Sequence, residues 1–197
     1  MKLFFLLLSF SFFLPVQVTA GEIPDQATIR LRSVQADFLQ EKHLKILARP
    51  IISTGTFTFQ SPQSLRWEYR KPIPSILLMH AGKVKKFVER DGQLAEDTRM
   101  QLDSMQVVLS EISNWVDGRF TDNKMFKVSF PKKQTVLLTP KEQGLAALIS
   151  SIELKLANQN GLLDEVTIFE GPDSFTRLTF TNRVLNREIP AALFTER

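Results

Sequence analysis

The chain has 197 residues, with 25 Lys plus Arg against 21 Asp plus Glu, a formal net charge of +4, two histidines and no cysteine. Disulfides and a lipid anchor on an N-terminal Cys are excluded, and little is left from which to build a metal site. The charge bias is mild: it suits anionic lipid surfaces or acidic proteins and falls short of a nucleic-acid signature.

Residues 1–20 read as an export signal. Lys2 is a minimal positive region, Leu3–Leu14 is an apolar run, and Val18, Thr19 and Ala20 are residues suited to a signal peptidase. The run is shorter than the roughly 20 apolar residues that a spanning helix needs. Cleavage after Ala20 would leave a chain from Gly21 to Arg197, expected to be exported and to form one domain.

Asp25 is a candidate N-cap for a first helix, with Ala27, Leu31, Val34 and Phe38 at helical spacing. Strand-like patterns follow at Leu44–Leu47, Ile51–Phe59, Leu65–Tyr69, Ile76–Met79 and Val84–Val88, separated by Pro72, Pro74, Gly82 and an Asp91-Gly92 turn. Within this series Phe57, Phe59, Leu65, Trp67 and Tyr69 alternate around a Ser-Pro-Gln-Ser turn, which puts five large side chains on one face of a sheet. Either protein or a greasy ligand must cover that face.

Between Met100 and Phe120 the period changes. Leu102, Met105, Val108, Leu109, Ile112, Trp115 and Val116 recur at steps of three and four, which predicts an amphipathic helix ending near Gly118. Methionine suits surfaces that repack around varied apolar partners, so this helix is either plain core or a movable lid. Strands resume at Met125–Phe130 and Thr135–Leu138, and Leu145–Ile149 reads as a helical turn. Ser150–Asn182 then alternates through turns at Asn160-Gly161 and Gly171-Pro172. The step from Phe175 to Leu178 breaks the alternation and predicts a bulge.

The expected fold is α+β: a curved antiparallel half-barrel sheet with an N-terminal helix and inserted helices over its concave face. A concave face too large for its own side chains must be plugged, and an imperfect plug leaves an apolar cavity. Nucleophile elbows, phosphate loops and dinucleotide fingerprints are absent from the sequence. His43 and His80 stand alone. No enzymatic role and no cofactor are therefore expected. The basic concentration at Lys83, Lys85 and Lys86, with Arg66, Arg70 and Lys71, is the solvent face of edge strands or a docking patch for an acidic partner or membrane.

Taken together the sequence resembles the periplasmic outer-membrane lipoprotein carrier family, the LolA-like proteins. The similarity runs from Phe38 (FLQEKHLKILARPIISTG) through Gly55–Tyr69, where Pro62, Leu65 and Trp67 form a Pro-x-x-Leu-x-Trp element. It continues in Pro74–Gly82 and the closing segment Asn186–Phe194. In that family's opening segment the Gly at position 55 begins the second strand. The resemblance implies a carrier that takes acylated lipoprotein from an inner-membrane exporter, shields its acyl chains in a cavity, and passes it to an outer-membrane receptor. Another acylated envelope lipid such as a glycolipid is the alternative cargo, and a lipid-sensing regulatory module the alternative role. A lining of Phe57, Phe59, Leu65, Trp67, Tyr69, Ile76 and Leu78, with Met105, Leu109 and Ile112 from the covering helix, is expected. The family's arginine before the turn proline, which ties the lid closed, is replaced here by Ser61, and Arg66 further along is expected to face elsewhere.

Overall fold

The computed structural model describes residues 31–98, 111, 115, 123–157 and 162–196. Among them run β1 (Ser33–His43), β2 (Ile51–Gln60), β3 (Ser64–Lys71), β4 (Ser75–His80), β5 (Lys83–Arg90) and β6 (Gln93–Glu96). After these come β7 (Phe126–Lys132), β8 (Thr135–Pro140), a short helix α1 (Gln143–Ala146), β9 (Ser151–Leu156), β10 (Leu163–Gly171), β11 (Ser174–Leu185) and a closing 3₁₀ turn, Ala191–Phe194. All eleven strands form one open antiparallel sheet in the order β6-β5-β4-β3-β2-β1-β11-β10-β9-β8-β7. Two sequence-local meanders therefore meet at a single seam, β1 against β11.

The turns follow from local chemistry. Asp91 and Gly92 both have positive φ (52° and 78°) and join β5 to β6 by a two-residue loop, the geometry that the twist of a hairpin favours. Ala81 and Gly82 do the same between β4 and β5. The two free edges are blunted. β6 is only four residues long, and β7 carries exposed Lys127, Pro131 and Lys132, which discourage pairing with another sheet.

Three sequence expectations need correction. The N-terminal helix fails over its second half, where Val34 and Phe38 lie in β1. A spacing of four is two periods of a strand as well as about one turn of helix. The intervening positions decide, because Ala36 and Gln40 are buried on the same face. The stretch of that helix before Leu31 lies outside the described residues. Leu44–Leu47 is the β1–β2 turn, closed by the Leu47 amide donating to the Leu44 carbonyl at 2.9 Å. The bulge expected between Phe175 and Leu178 is absent: Thr176, Leu178 and Phe180 alternate inward in continuous register with β1, and Phe175 belongs to the opposite face, stacked on His43 at 4.2 Å. The register instead shifts opposite Gln35–Asp37.

Helical structure is sparse among the described residues. Of the expected central helix only Glu111 and Trp115 are described, and both are helical and buried. Asn123 ties this region to the sheet, donating through Nδ2 to the Glu111 carboxylate and accepting from the Met125 and Phe126 amides at the start of β7. The short apolar piece near Leu145 does form a helical turn, α1. No helix among the described residues is long and apolar enough to cross a membrane.

The C-terminal segment folds back over the outer face of β3 and β4. Phe194 is buried there, its ring parallel to that of His80 with centroids 6.2 Å apart, and His80 Nδ1 is 2.8 Å from Ser64 Oγ. Arg66 holds the segment by donating to the Leu193 and Glu196 carbonyls at 3.2 and 2.7 Å, with Glu68 at 2.8 Å steadying the guanidinium. Arg66 thus faces away from the aromatic surface, as expected. Charged hydrogen bonds of this kind contribute about 1.5–3 kcal/mol when well shielded. Arg66→Ala is expected to free the C-terminal turn, seen as faster trimming by carboxypeptidase with little change in far-UV circular dichroism. Trimming at the wild-type rate would show that Phe194 alone holds the segment.

Candidate functional site

Cross-strand register assigns each side chain to a face, because directly paired residues project to the same side. One row runs Val34, Phe59, Leu65, Met79, Val84. The next runs Ala36, Phe57, Trp67, Leu77, Lys86, and a third runs Phe38, Gly55, Tyr69, Ser75, Val88. Phe57, Phe59, Leu65, Trp67 and Tyr69 therefore share one face, as the alternation predicts. Beyond the seam the same face continues through Gln40, Leu178, Val166, Leu154 and Val136 and through Thr176, Ile168, Ile152 and Leu138.

Trp67 is the hub of the aromatic half. Its ring lies 4.6 Å from Phe38, 5.4 Å from Phe57, 6.3 Å from Tyr69 and 6.2 Å from Phe180. Phe180 is three strands away, about 14 Å in a flat sheet. The rings meet because the residue between them on β1 is small: Ala36 leaves the space over which Trp67, Phe57 and Phe180 converge. A bulkier residue there would keep them apart. In the adjacent row Gly55 likewise makes room. The Phe38 ring and the β3 backbone press on it so closely that an added Cβ would sit 2.8 Å from the Phe38 ring tip and 1.9 Å from the Glu68 carbonyl oxygen. Its role is thus in mid-strand, where it permits close approach, and not at the start of β2 as the resemblance suggests.

The two halves of this face differ. Val136, Leu138, Ile152, Leu154, Val166, Ile168 and Leu178 are completely buried, an ordinary aliphatic core worth about 1.5–3 kcal/mol per side chain. In the aromatic half Phe57, Phe59, Leu65 and Trp67 are also covered, and Trp115 joins the same cluster. At its margin Tyr69, Leu77 and Met79 are only partly buried, as Val128 and Leu156 are at the margin of the aliphatic half, and the row through Trp67 ends at partly buried Lys86. Tyr69 Oη donates to Gln40 Oε1 at 2.7 Å, which gives the phenol a fixed place on an apolar surface. The indole N–H groups of Trp67 and Trp115 are buried without a partner among the described residues, each a cost of about 1–3 kcal/mol. Chemically the margin is a soft apolar surface with a few polar edges, suited to greasy ligands and poor in groups that could break bonds. Among the described residues no three His, Cys, Asp or Glu side chains come together as a metal site.

Two expected lining residues are misplaced. Ile76 and Leu78 project to the outer face, where they form a separate cluster with Phe87, flanked by Leu94. The link between Tyr69 and its partner Ser75 contains an odd number of residues, so odd-numbered positions stay on the core face through β4. Leu77 and Met79 are the β4 residues beside Trp67, and the length of this link was the signal that could have found them. Met105, Leu109 and Ile112 lie outside the described residues. Of the basic concentration, Lys85 pairs opposite Leu78 on the outer face and Lys86 opposite Leu77 on the core face, so no single basic surface forms along β5.

The family profile described as outer membrane lipoprotein carrier protein LolA matches residues 30–197. Among solved structures, a DUF1329 family protein from Desulfovibrio piger superposes with a TM-score of 0.45 at 9% identity, covering 83% of this chain and 90% of its own. A LolA superfamily protein from Nitrosomonas europaea gives 0.42 at 9% identity over 87% and 94%. MucB of Pseudomonas aeruginosa, solved with MucA, gives 0.40 at 15% identity, with 83% of this chain matching 56% of that one. No curated protein matches by sequence. The family assignment rests on the match over residues 30–197 and not on these remote likenesses.

Proposed function

The chain belongs to the outer membrane lipoprotein carrier protein family, LolA, and on that premise we propose that it is a periplasmic carrier of acyl chains. Its cargo in this reading is acylated lipoprotein, accepted from an inner-membrane exporter and delivered to an outer-membrane receptor, with no catalytic step. The observation that carries the reading is the partly open aromatic margin: Tyr69, Leu77 and Met79 border a ring cluster of the size and softness that acyl chains require. Each methylene withdrawn from water contributes about 0.8 kcal/mol, so a lipid with several chains needs an escort across an aqueous gap. Broad apolar contact without many directed hydrogen bonds gives such an escort strength while still allowing release.

The test is native mass spectrometry of the protein purified gently from its own periplasm, together with binding of a fluorescent triacylated peptide. Leu77→Gln with Met79→Gln is expected to weaken peptide binding about tenfold, the loss of one to two buried side-chain contacts, with an unchanged far-UV circular dichroism spectrum and unfolding transition showing that the fold is kept. A co-purifying acylated lipoprotein supports the reading. A bound glycolipid would keep the carrier and change the cargo. Unaltered peptide binding in the double variant would place the cargo surface elsewhere.

A further inference from the structure

The end of the sheet at which β1 passes to β2 and β3 to β4 carries an apolar rim that the core does not use. In the β1–β2 turn Ile46 is 87% exposed and Leu47 43%, Ile51 at the start of β2 is 42% exposed, and Ile73 in the neighbouring β3–β4 turn is 61% exposed. Single exposed apolar residues are ordinary. Four of them in or beside adjoining turns at one end of a sheet, two of them largely bare, are not required by the fold and mark an interaction surface.

The charges of the β1–β2 part of this rim are basic, while exposed Glu89 and Asp91 stand beside the β3–β4 part, where the Glu89 amide donates to the Pro74 carbonyl at 3.0 Å. The segment Lys42–Ile51 contains Lys42, Lys45 and Arg49 and no acid. Glu170 and Asp173 at the adjacent β10–β11 turn are already occupied, by Lys42 and Lys45 at 3.5 Å each. Arg49 and Lys71 are exposed and form no ion pair among the described residues. A tip of bare isoleucine and leucine between unpaired cations fits one kind of surface particularly well. Apolar side chains enter the boundary between headgroups and acyl chains while the cations meet phosphate.

We propose that this rim docks the protein on an anionic phospholipid membrane, reversibly and shallowly. The inference goes beyond the carrier reading, since it concerns a surface remote from the Trp67 cluster and would hold for any cargo. It adds a geometric consequence: Tyr69 lies toward this same end of its strand and Met79 toward the other, so docking brings the Tyr69 side of the aromatic face nearest the bilayer.

The experiment is co-sedimentation of the exported protein, free of its apolar leader, with phosphatidylcholine vesicles with and without phosphatidylglycerol. Binding to the phosphatidylglycerol vesicles is expected, weakened by salt as for any exposed charge pairing. Arg49→Ala with Lys71→Ala should reduce it about thirtyfold, the effect of two surface cations, and Ile46→Ser with Leu47→Ser should reduce it comparably. All four sites are exposed, so folding is spared, and binding of the triacylated peptide measured in parallel should be unchanged. Vesicle binding that the rim variants leave intact would overturn the proposal, because the lipid would then be held elsewhere. Indifference of the wild-type chain to anionic vesicles would overturn it too and leave an acidic protein segment as the occupant.

Discussion

Gly55→Ala is expected to destabilise the protein by about 3 kcal/mol, the upper range for overpacking a sheet interior. The added methyl would overlap the Glu68 carbonyl oxygen at 1.9 Å and the Phe38 ring at 2.8 Å. A ring tip can swing aside, but the carbonyl belongs to the β3 backbone and can move only if β2 and β3 separate. That separation would break the pairing Gly55–Tyr69 and its neighbours Thr56–Glu68 and Phe57–Trp67, which set the aromatic rows. Urea unfolding followed by tryptophan fluorescence measures the effect. An unfolding midpoint equal to that of the wild type would mean that the two strands separate there without cost and that the glycine is incidental.

Trp67→Ala should cost about 4 kcal/mol, since it opens a cavity beneath four aromatic rings in a position only 1% exposed. Trp67→Phe should cost less than half of that. It keeps a ring in contact and removes an indole N–H that is buried without a partner among the described residues. The order of the two variants is the informative quantity. If the phenylalanine variant proved as unstable as the alanine one, the N–H would have to be satisfied in solution by a group outside the described residues. Because both changes reach the core, loss of cargo binding in a Trp67 variant cannot be separated from unfolding. Leu77 and Met79 at the margin are therefore the better probes of binding.

The sheet was legible because its alternation is strong where a face is fully buried. Leu65, Trp67 and Tyr69 could be placed on one face from their spacing alone, and the Asp91-Gly92 turn from its chemistry. The misreadings have common physical roots. Val34 and Phe38 satisfy the helical and the strand period alike, and only the burial of Ala36 and Gln40 between and beyond them distinguishes the two. β4 is apolar on both faces, with Ile76 and Leu78 against Phe87 on one side and Leu77 and Met79 beside Trp67 on the other, so hydrophobicity alone carries no information about its phase. The parity of the Arg70–Pro74 link carries it instead. Leu44–Leu47 looks like a strand because its apolar residues are real, but they face solvent, and a pattern of residue types does not say which medium they meet.

The single seam between the two meanders also fixes the order in which the chain can acquire its core. Every other strand pairs with its neighbour in sequence and can form as soon as a hairpin has been made. The backbone amide of Arg32, by contrast, waits for the side chain of Asn186, 154 residues further on, and Phe57 and Trp67 wait for Phe180. Closing so long a loop is the slow, late event in folding. A chain still emerging from a ribosome therefore has β1 present but unmatched on one side, and it cannot lock its aromatic face until β11 has been delivered.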